Sequence, residues 1–270
     1  MDTPKLKNII IIILLLLNGF LLAIMISDSV ETAREHRLAE QQLRQVLSSQ
    51  GIELSEDVDL GLTAPASRTV IRDMDKELRL MEKVIGADRA ENQGGNIYYY
   101  EGKNGQAVIR STGEADILFT GEGGRVGDDI ASGTKKLFKK GDLILEVEDK
   151  EDDTSCYFIC LWDGYPVYNA RLEASHYGDS IQLVTGSVAY GTESGKEAQP
   201  GFDCVTALMR FLQAAREGGY IFSRIENVSV GYIMSVTMPG EYSLKGVWRI
   251  EMDTGTVFTN GETGRIENIP

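Results

Sequence analysis

The chain has 270 residues with 27 Lys and Arg against 41 Asp and Glu, a formal net charge of −14. So acidic a chain, whose one dense basic cluster is "KKLFKK", is a poor phosphate binder, which argues against nucleic acid as a partner. Its 42% apolar content suffices for a real core, while three cysteines and two histidines argue against a disulfide framework and a Cys/His metal site.

The first element is the apolar run "IIIIILLLLNGFLLAIMI", Ile9 to Ile26. As a helix it reaches about 27 Å, close to the hydrocarbon thickness of a bilayer. Lys5 and Lys7 precede it, and Asp28 and Glu31 follow it, so the N-terminus is expected inside and the remainder outside. The run is longer than a secretory h-region, and only Ser27 and Ser29 offer a small-x-small pair. An uncleaved signal anchor is therefore expected rather than a cleaved leader. Gly19, Ala23 and Ser27 fall four apart on one stripe, with Asn18 at its edge. Such small residues let a second helix approach closely in lipid, and an Asn amide gains from a partner across the interface. Asn18, Gly19, Ala23 and Ser27 are thus the candidate partner-helix contact.

"VETAREHRLAEQQLRQVLSSQGIEL" is rich in helix formers and stops at Gly51. "SEDVDLGLTAPASR" reads as a linker with Gly61 and Pro65 as breakers. A charged helix, "VIRDMDKELRLMEKVIG", precedes strand-like "NIYYYEG", "GQAVIRS" and "ADILFTG". A short helix around "SGTKKLFKKG" precedes "DLILEVED", "SCYFICLW", "PVYNARLEA" and "SIQLVTGSVAY". The last helix, "FDCVTALMRFLQAAREGG", is expected to stop at Gly218, and "YIFSRIENVSVGYIMS", "GVWRIEMD" and "GTVFTNGET" follow as strands. A helix followed by an antiparallel meander recurs about three times, which predicts an α+β fold with helices on one face of antiparallel sheets. Trp248, Ile250 and Met252 alternate and are expected in the core. Asp253–Gly255 and Asn260–Gly261 suit turns.

Catalytic patterns are sparse. Ser132 and Lys135 match Ser-x-x-Lys, but the accompanying Ser-Asp-Asn and Lys-Thr-Gly elements do not occur. A helix cap is the reading preferred there, with Ser132 or Thr134 accepting an amide hydrogen bond. "GEGGRVG" fails the dinucleotide spacing, and the acidic run Glu146–Asp153 lacks the spacing of a calcium loop, so it reads as a hairpin tip. Cys156 and Cys160, with Cys204, read as buried apolar thiols. No catalytic, cofactor or metal residue is assigned, and the chain is not expected to be an enzyme.

"DGYPVYNARLEA", "CVTALMRFLQ", "VGYIM" and "VWRIEMDTGTVFTNGETGRIE" follow one another in an order similar to the YycI proteins of low-GC Gram-positive bacteria. "LKNIIIIILLLLNGFLLA" and "YYYEGKNGQAVIRSTGEADILF" also resemble that family, and the closing Trp-Arg-Ile pattern resembles PepSY-type domains. The chain departs from the family where Thr3 and Pro4 stand in place of a tryptophan. The resemblance implies a membrane-tethered extracytoplasmic regulator that modulates a WalK-like sensor histidine kinase by protein–protein contact, alongside a YycH-like membrane protein. It implies PepSY-like α+β units and no catalytic centre or cofactor. The expected organisation is a cytoplasmic tail (1–8), a transmembrane signal anchor (9–27), an extracytoplasmic helix and linker (28–65), a first α+β module (66–150) and a second, YycI/PepSY-like one (151–270). The alternative is a PepSY-like envelope protein that inhibits an extracytoplasmic peptidase or binds an envelope ligand.

Overall fold

The glycine stop expected at the end of the first helix is present in the computed structural model, which describes residues 37–148, 153–195 and 199–267. Helix α1, residues 37–49, ends where Gly51 takes a φ of +72° and the Ile52 amide donates back to the Leu47 carbonyl at 3.0 Å. A left-handed glycine closes a helix without the penalty a Cβ would bring. Strand β1, Glu53–Leu54, completes a first compact unit that ends at Leu54. The apolar run and its flanks lie outside the described residues. Among the described residues, no helix is long and apolar enough to cross a membrane.

The second unit begins at Ser55. It opens with an irregular segment, strand β2 (Arg68–Ile71) and helix α2 (Met74–Ile85). Strands β3 (Ala87–Gly94), β4 (Ile97–Gly102), β5 (Gly105–Ile109) and β6 (Glu114–Phe119) follow. After a 3-10 turn at Gly121–Gly124 comes helix α3 (Ile130–Lys139), then β7 (Ile144–Glu148), β8 (Ser155–Trp162), β9 (Tyr165–Tyr177) and β10 (Ser180–Ser187). Strand β11 (Thr192–Ser194) leads to helix α4 (Cys204–Gly218), then β12 (Arg224–Met238), β13 (Glu241–Met252), β14 (Gly255–Asn260) and β15 (Ile266–Glu267). The fold is α+β and dominated by its sheet. Each of α2, α3 and α4 is followed by four strands in which each pairs antiparallel with the next.

The first two meanders join where β6 and β10 pair antiparallel. Cross-strand partners share a face, so register shows how the two faces differ. One row runs Tyr100–Ala107–Ile117–Val184–Ala174–Cys156. It packs in one core with Leu80, Met81, Val84 and Ile85 of α2 and Ile130 and Phe138 of α3. The next row, one residue on, runs Glu91–Tyr99–Val108–Asp116–Thr185–Glu173–Tyr157–Glu148 on the opposite face. Alternation of apolar and polar residues thus sends one face to the helices and leaves the other polar and aromatic.

The third meander is tied to the second by a parallel bridge between Tyr232 and Val167. Its β12–β13 hairpin is long enough to serve two apolar layers. Tyr232, Met234, Tyr242 and Leu244 belong to the α2/α3 core. Further along the same face of the hairpin, Val228, Trp248, Ile250 and Met252 are buried, as the alternation predicts. Fully burying side chains of this size contributes roughly 1.5–3 kcal/mol each.

Several local expectations are corrected. Val70 and Ile71 belong to strand β2, paired with β13, because they continue an extended β-branched run; the helix waits for its cap at Asp73. The polar strand β3 has only Ala87 buried and gives no apolar alternation to read. Helix α4 runs through Gly218, and Gly219, with φ +70°, is the cap. The stretch read as a linker is anchored: Ala64 donates its amide to the Phe202 carbonyl at 3.1 Å and accepts from Gly201 at 3.0 Å, with Val58, Leu60, Ala64 and Ala66 buried.

Candidate functional site

The residues expected to contact a partner helix, Asn18, Gly19, Ala23 and Ser27, lie outside the described residues. Ser132 and Lys135 are brought onto one side of α3, but neither Ser132 nor Thr134 caps that helix. Asp129 does so, its carboxylate accepting the Ser132 amide at 2.9 Å, while the Thr134 hydroxyl donates to the Ile130 carbonyl at 2.7 Å. An aspartate three residues before the motif outcompetes the hydroxyls because a carboxylate is the stronger acceptor. Cys156, Cys160 and Cys204 are free thiols. Burial pushes the Cys160 thiol up to about 12 and does the same to Cys204, where Asp203 adds to the effect. Neither is a nucleophile at neutral pH. Among the described residues no group of three or more His, Cys, Asp or Glu could hold a metal ion.

One recess collects residues from four distant segments. A cleft of about 550 Å³ is walled by Thr63–Ala66 and Pro200, with Arg68, Asp163, Tyr165 and Tyr232 presenting its polar and aromatic groups. Local sequence explains each wall. Asp163 and Gly164 take φ of +50° and +82°, the left-handed pair of a two-residue hairpin turn, which fixes Asp163 and Tyr165 at the rim. Tyr232 sits mid-strand opposite Gly246. A Cβ at Gly246 would stand 1.9 Å from the Pro65 carbonyl oxygen, so only glycine lets the Thr63–Ala66 wall press onto β13.

Inside the cleft the Tyr165 and Tyr232 rings meet edge to face, centroids 6.1 Å apart. Burial raises the Tyr232 hydroxyl's pKa, with the Arg68 charge opposing it, so the phenol stays a neutral donor. Arg68 reaches Glu193 through Nη1 at 3.3 Å, but its buried Nε has no hydrogen-bond partner. A guanidinium at the wall of a cleft that also presents two aromatic rings and two prolines can hold an oxygen acceptor, such as a carboxylate or a peptide carbonyl, beside an apolar group.

Four residues further on, Arg72 is in the opposite condition. Its Nε and Nη2 donate to the two Glu77 carboxylate oxygens at 2.7 and 2.8 Å. Nη1 donates to the Asn96 carbonyl at 2.6 Å and Nη2 to that of Ile109 at 3.1 Å, and the Tyr98 ring lies 4.8 Å from the guanidinium carbon. The two charged side chains are only 7% and 6% exposed. Burial alone would lower the Arg72 pKa, but the Glu77 hydrogen bonds and charge outweigh it. Burial likewise drives the Tyr100 phenol well above its ordinary value, with Glu77 adding to the shift. This pair ties β2, α2 and the β3–β5 hairpins together, and its role is structural.

Sequence reasoning did not find the Arg68 cleft. The Asp-Gly turn at 163–164 was its one local signal, because the remaining walls come from residues up to 169 positions apart (Thr63 to Tyr232).

No family model matches the chain, and no curated protein matches it; the YycI resemblance rests on sequence motifs alone. Solved structures that it resembles include an uncharacterized protein from Eubacterium rectale ATCC 33656, at 13% identity and a TM-score of 0.45 over 81% of this chain and 90% of the other. Another is the YpeB C-terminal domain from Bacillus megaterium, at 10% identity and a TM-score of 0.39 over 74% of this chain and 97% of that domain. At these scores neither likeness carries an argument.

Proposed function

We propose that the chain is a membrane-anchored extracytoplasmic regulator, similar to YycI, that modulates a WalK-like sensor histidine kinase by protein–protein contact. Its partners are the kinase, a YycH-like membrane protein, or both, and it performs no catalytic step of its own. In this reading Ile9–Ile26 crosses the cell membrane once, with Lys5 and Lys7 inside and the α+β body outside. The three helix-and-meander sets are PepSY-like units. The observation that carries the reading is the coupling of one apolar run, bearing a small-residue stripe, to this folded body. An anchor that only tethers needs no Asn18 and no Gly19–Ala23–Ser27 stripe.

The test is co-purification of the full chain with a WalK-like kinase and a YycH-like protein co-expressed in membranes. The wild-type chain should bring down at least one of them, and Gly19→Leu with Ala23→Leu should abolish this while insertion and the outer fold persist. No association of the wild-type chain with either protein would overturn the proposal. Undiminished association of the double variant would move the contact off the stripe. The second reading, an envelope protein that inhibits an extracytoplasmic peptidase or holds an envelope ligand, is favoured by the Arg68–Tyr165–Tyr232 cleft.

A further inference from the structure

Helix α3 carries Lys135, Lys136 and Lys139, with Lys140 just beyond its end, and no acidic residue from Ile130 to Lys140. In a chain of net charge −14 this is a local reversal of sign. The helix dipole favours cations in the last turn, which accounts for Lys136 and Lys139 but not for Lys135 a turn's edge earlier. Three of these lysines, together with Ser132, line a groove of about 400 Å³ whose floor is Ile144, Leu145 and Leu161, with Glu146 on its rim. Among the described lining residues Glu146 alone is acidic.

The floor is also a sheet edge. Strand β7 pairs with β8 on one side, Ile144–Glu148 against Leu161–Tyr157, and no described strand pairs with its other side. It carries two large apolar side chains in the open, Ile144 at 39% and Val147 at 42% exposure. An unpaired edge offers a row of backbone donors and acceptors that an added strand can satisfy, with alternate side chains reading pockets on one face. The opposite edge of the same sheet, β3, is exposed at seven of its eight residues; β7 also carries charge, at Glu146 and Glu148, but on the face that bears Ile144 and not on the Leu145 face turned to α3.

We propose that the α3–β7 groove is a docking site for an extended acidic segment of a partner protein. The segment adds to the free edge of β7 as a further strand. Its carboxylates, spaced by two, meet Lys135, Lys136 and Lys139 on the face of β7 that bears Leu145 and Val147, and its intervening apolar side chains lie on the opposite face beside Ile144. Charge complementarity selects the sign of the occupant, and the free edge selects a peptide over an anionic surface. This goes beyond the proposed function: it requires neither the membrane stripe nor a kinase.

The experiment uses the full chain in zwitterionic nanodiscs and a blocked fluorescent peptide of alternating valine and glutamate, read by anisotropy. Saturable binding is expected, weakened by salt and by at least tenfold in Lys135→Gln/Lys136→Gln/Lys139→Gln, whose thermal midpoint should match wild type. A peptide N-methylated at alternate residues, which keeps its charges but cannot complete a strand ladder, should lose binding to a similar degree. The proposal is overturned by no binding at about 1 mM peptide. It is equally overturned by equal binding of a valine–lysine peptide or of the N-methylated peptide. Preference of the basic face for anionic nanodiscs, unaffected by competing peptide, would assign the lysines to a lipid surface and overturn it as well.

Discussion

Arg68 and Arg72 bracket the same short strand, yet the molecule uses them in opposite ways. Arg72 spends its donors on Glu77, Asn96 and Ile109, inside a site where both charges are nearly dry. Arg68 opens onto a cleft, shares one nitrogen with a half-exposed Glu193, and keeps its Nε unused. A saturated buried guanidinium is part of the scaffold, since removing either partner strands a charge. A guanidinium that lines a cleft beside aromatic rings can be reached from outside the chain. What separates the two is the surroundings supplied by distant strands, not the residue type.

The sharpest way to break this comparison is at Arg72. Arg72→Ala, or Glu77→Leu, should cost about 3–5 kcal/mol, because the remaining charge is left buried and alone. Replacing both by apolar residues of similar volume should recover most of that loss. Denaturant midpoints measure it, and a loss below about 1 kcal/mol for Arg72→Ala would dissolve the distinction between the two arginines.

Next in size is Gly246→Ala, which drives a Cβ into the Pro65 carbonyl. It should cost roughly 1–3 kcal/mol, the range of overpacking, and loosen the cleft wall, visible as faster amide exchange in the 63–66 segment. Arg68→Ala should cost less than Arg72→Ala, about 1 kcal/mol, because its ion pair is partly exposed, 22% at Arg68 and 42% at Glu193. It should nevertheless weaken whatever carboxylate ligand the cleft accepts. A stability loss matching that of Arg72→Ala would place Arg68 in the scaffold too.

The comparison also shows where sequence reading succeeds and where it stops. Strands with apolar alternation are legible because burial of one face writes itself at period two: Tyr98–Tyr100, Ala107–Ile109 and Trp248–Met252 announce their inner faces. Strand β3 is not legible, because an edge strand of exposed charges has no such signature. The caps of α2, α3 and α4 all turn out to be aspartates, at 73, 129 and 203, and the α3 cap was misread because Ser132 and Thr134 are also good cap residues. The Arg68 cleft could not be assembled from the sequence, since closeness of Pro65, Tyr165 and Tyr232 is a property of strand order. The basic stretch on α3 was plain in the sequence, but its groove appeared only once β7 proved to be an edge.

A pH series gives a smaller effect. Asp73 is held below the ordinary carboxylate range first by the Thr192 hydroxyl, at 2.6 Å, and then by the Lys76 amide. Asp253 is lowered chiefly by the Ser223 hydroxyl, also at 2.6 Å. Because the folded values lie below the unfolded ones, this stabilisation is fully present above the unfolded aspartate range, about pH 4, and is lost as pH falls through the folded values. Asp73→Asn with Asp253→Asn should therefore flatten the acid limb and leave its position above pH 5, roughly, unchanged in shape. The smallest effect is expected from reductant or chelator. Cys160 and Cys204 are buried thiols and no described group of three His, Cys, Asp or Glu could hold a metal ion, so the thermal midpoint of the full chain should stay in place, and a large drop under either treatment would contradict that.

The central claim is that the chain regulates a kinase by contact, and autophosphorylation of a WalK-like kinase in nanodiscs tests it most directly. The full chain, co-reconstituted with the kinase and a YycH-like protein, should change the initial rate at least severalfold. A chain whose Ile9–Ile26 run is replaced by an inert leucine span should not. Equal rates with and without the full chain would contradict the account.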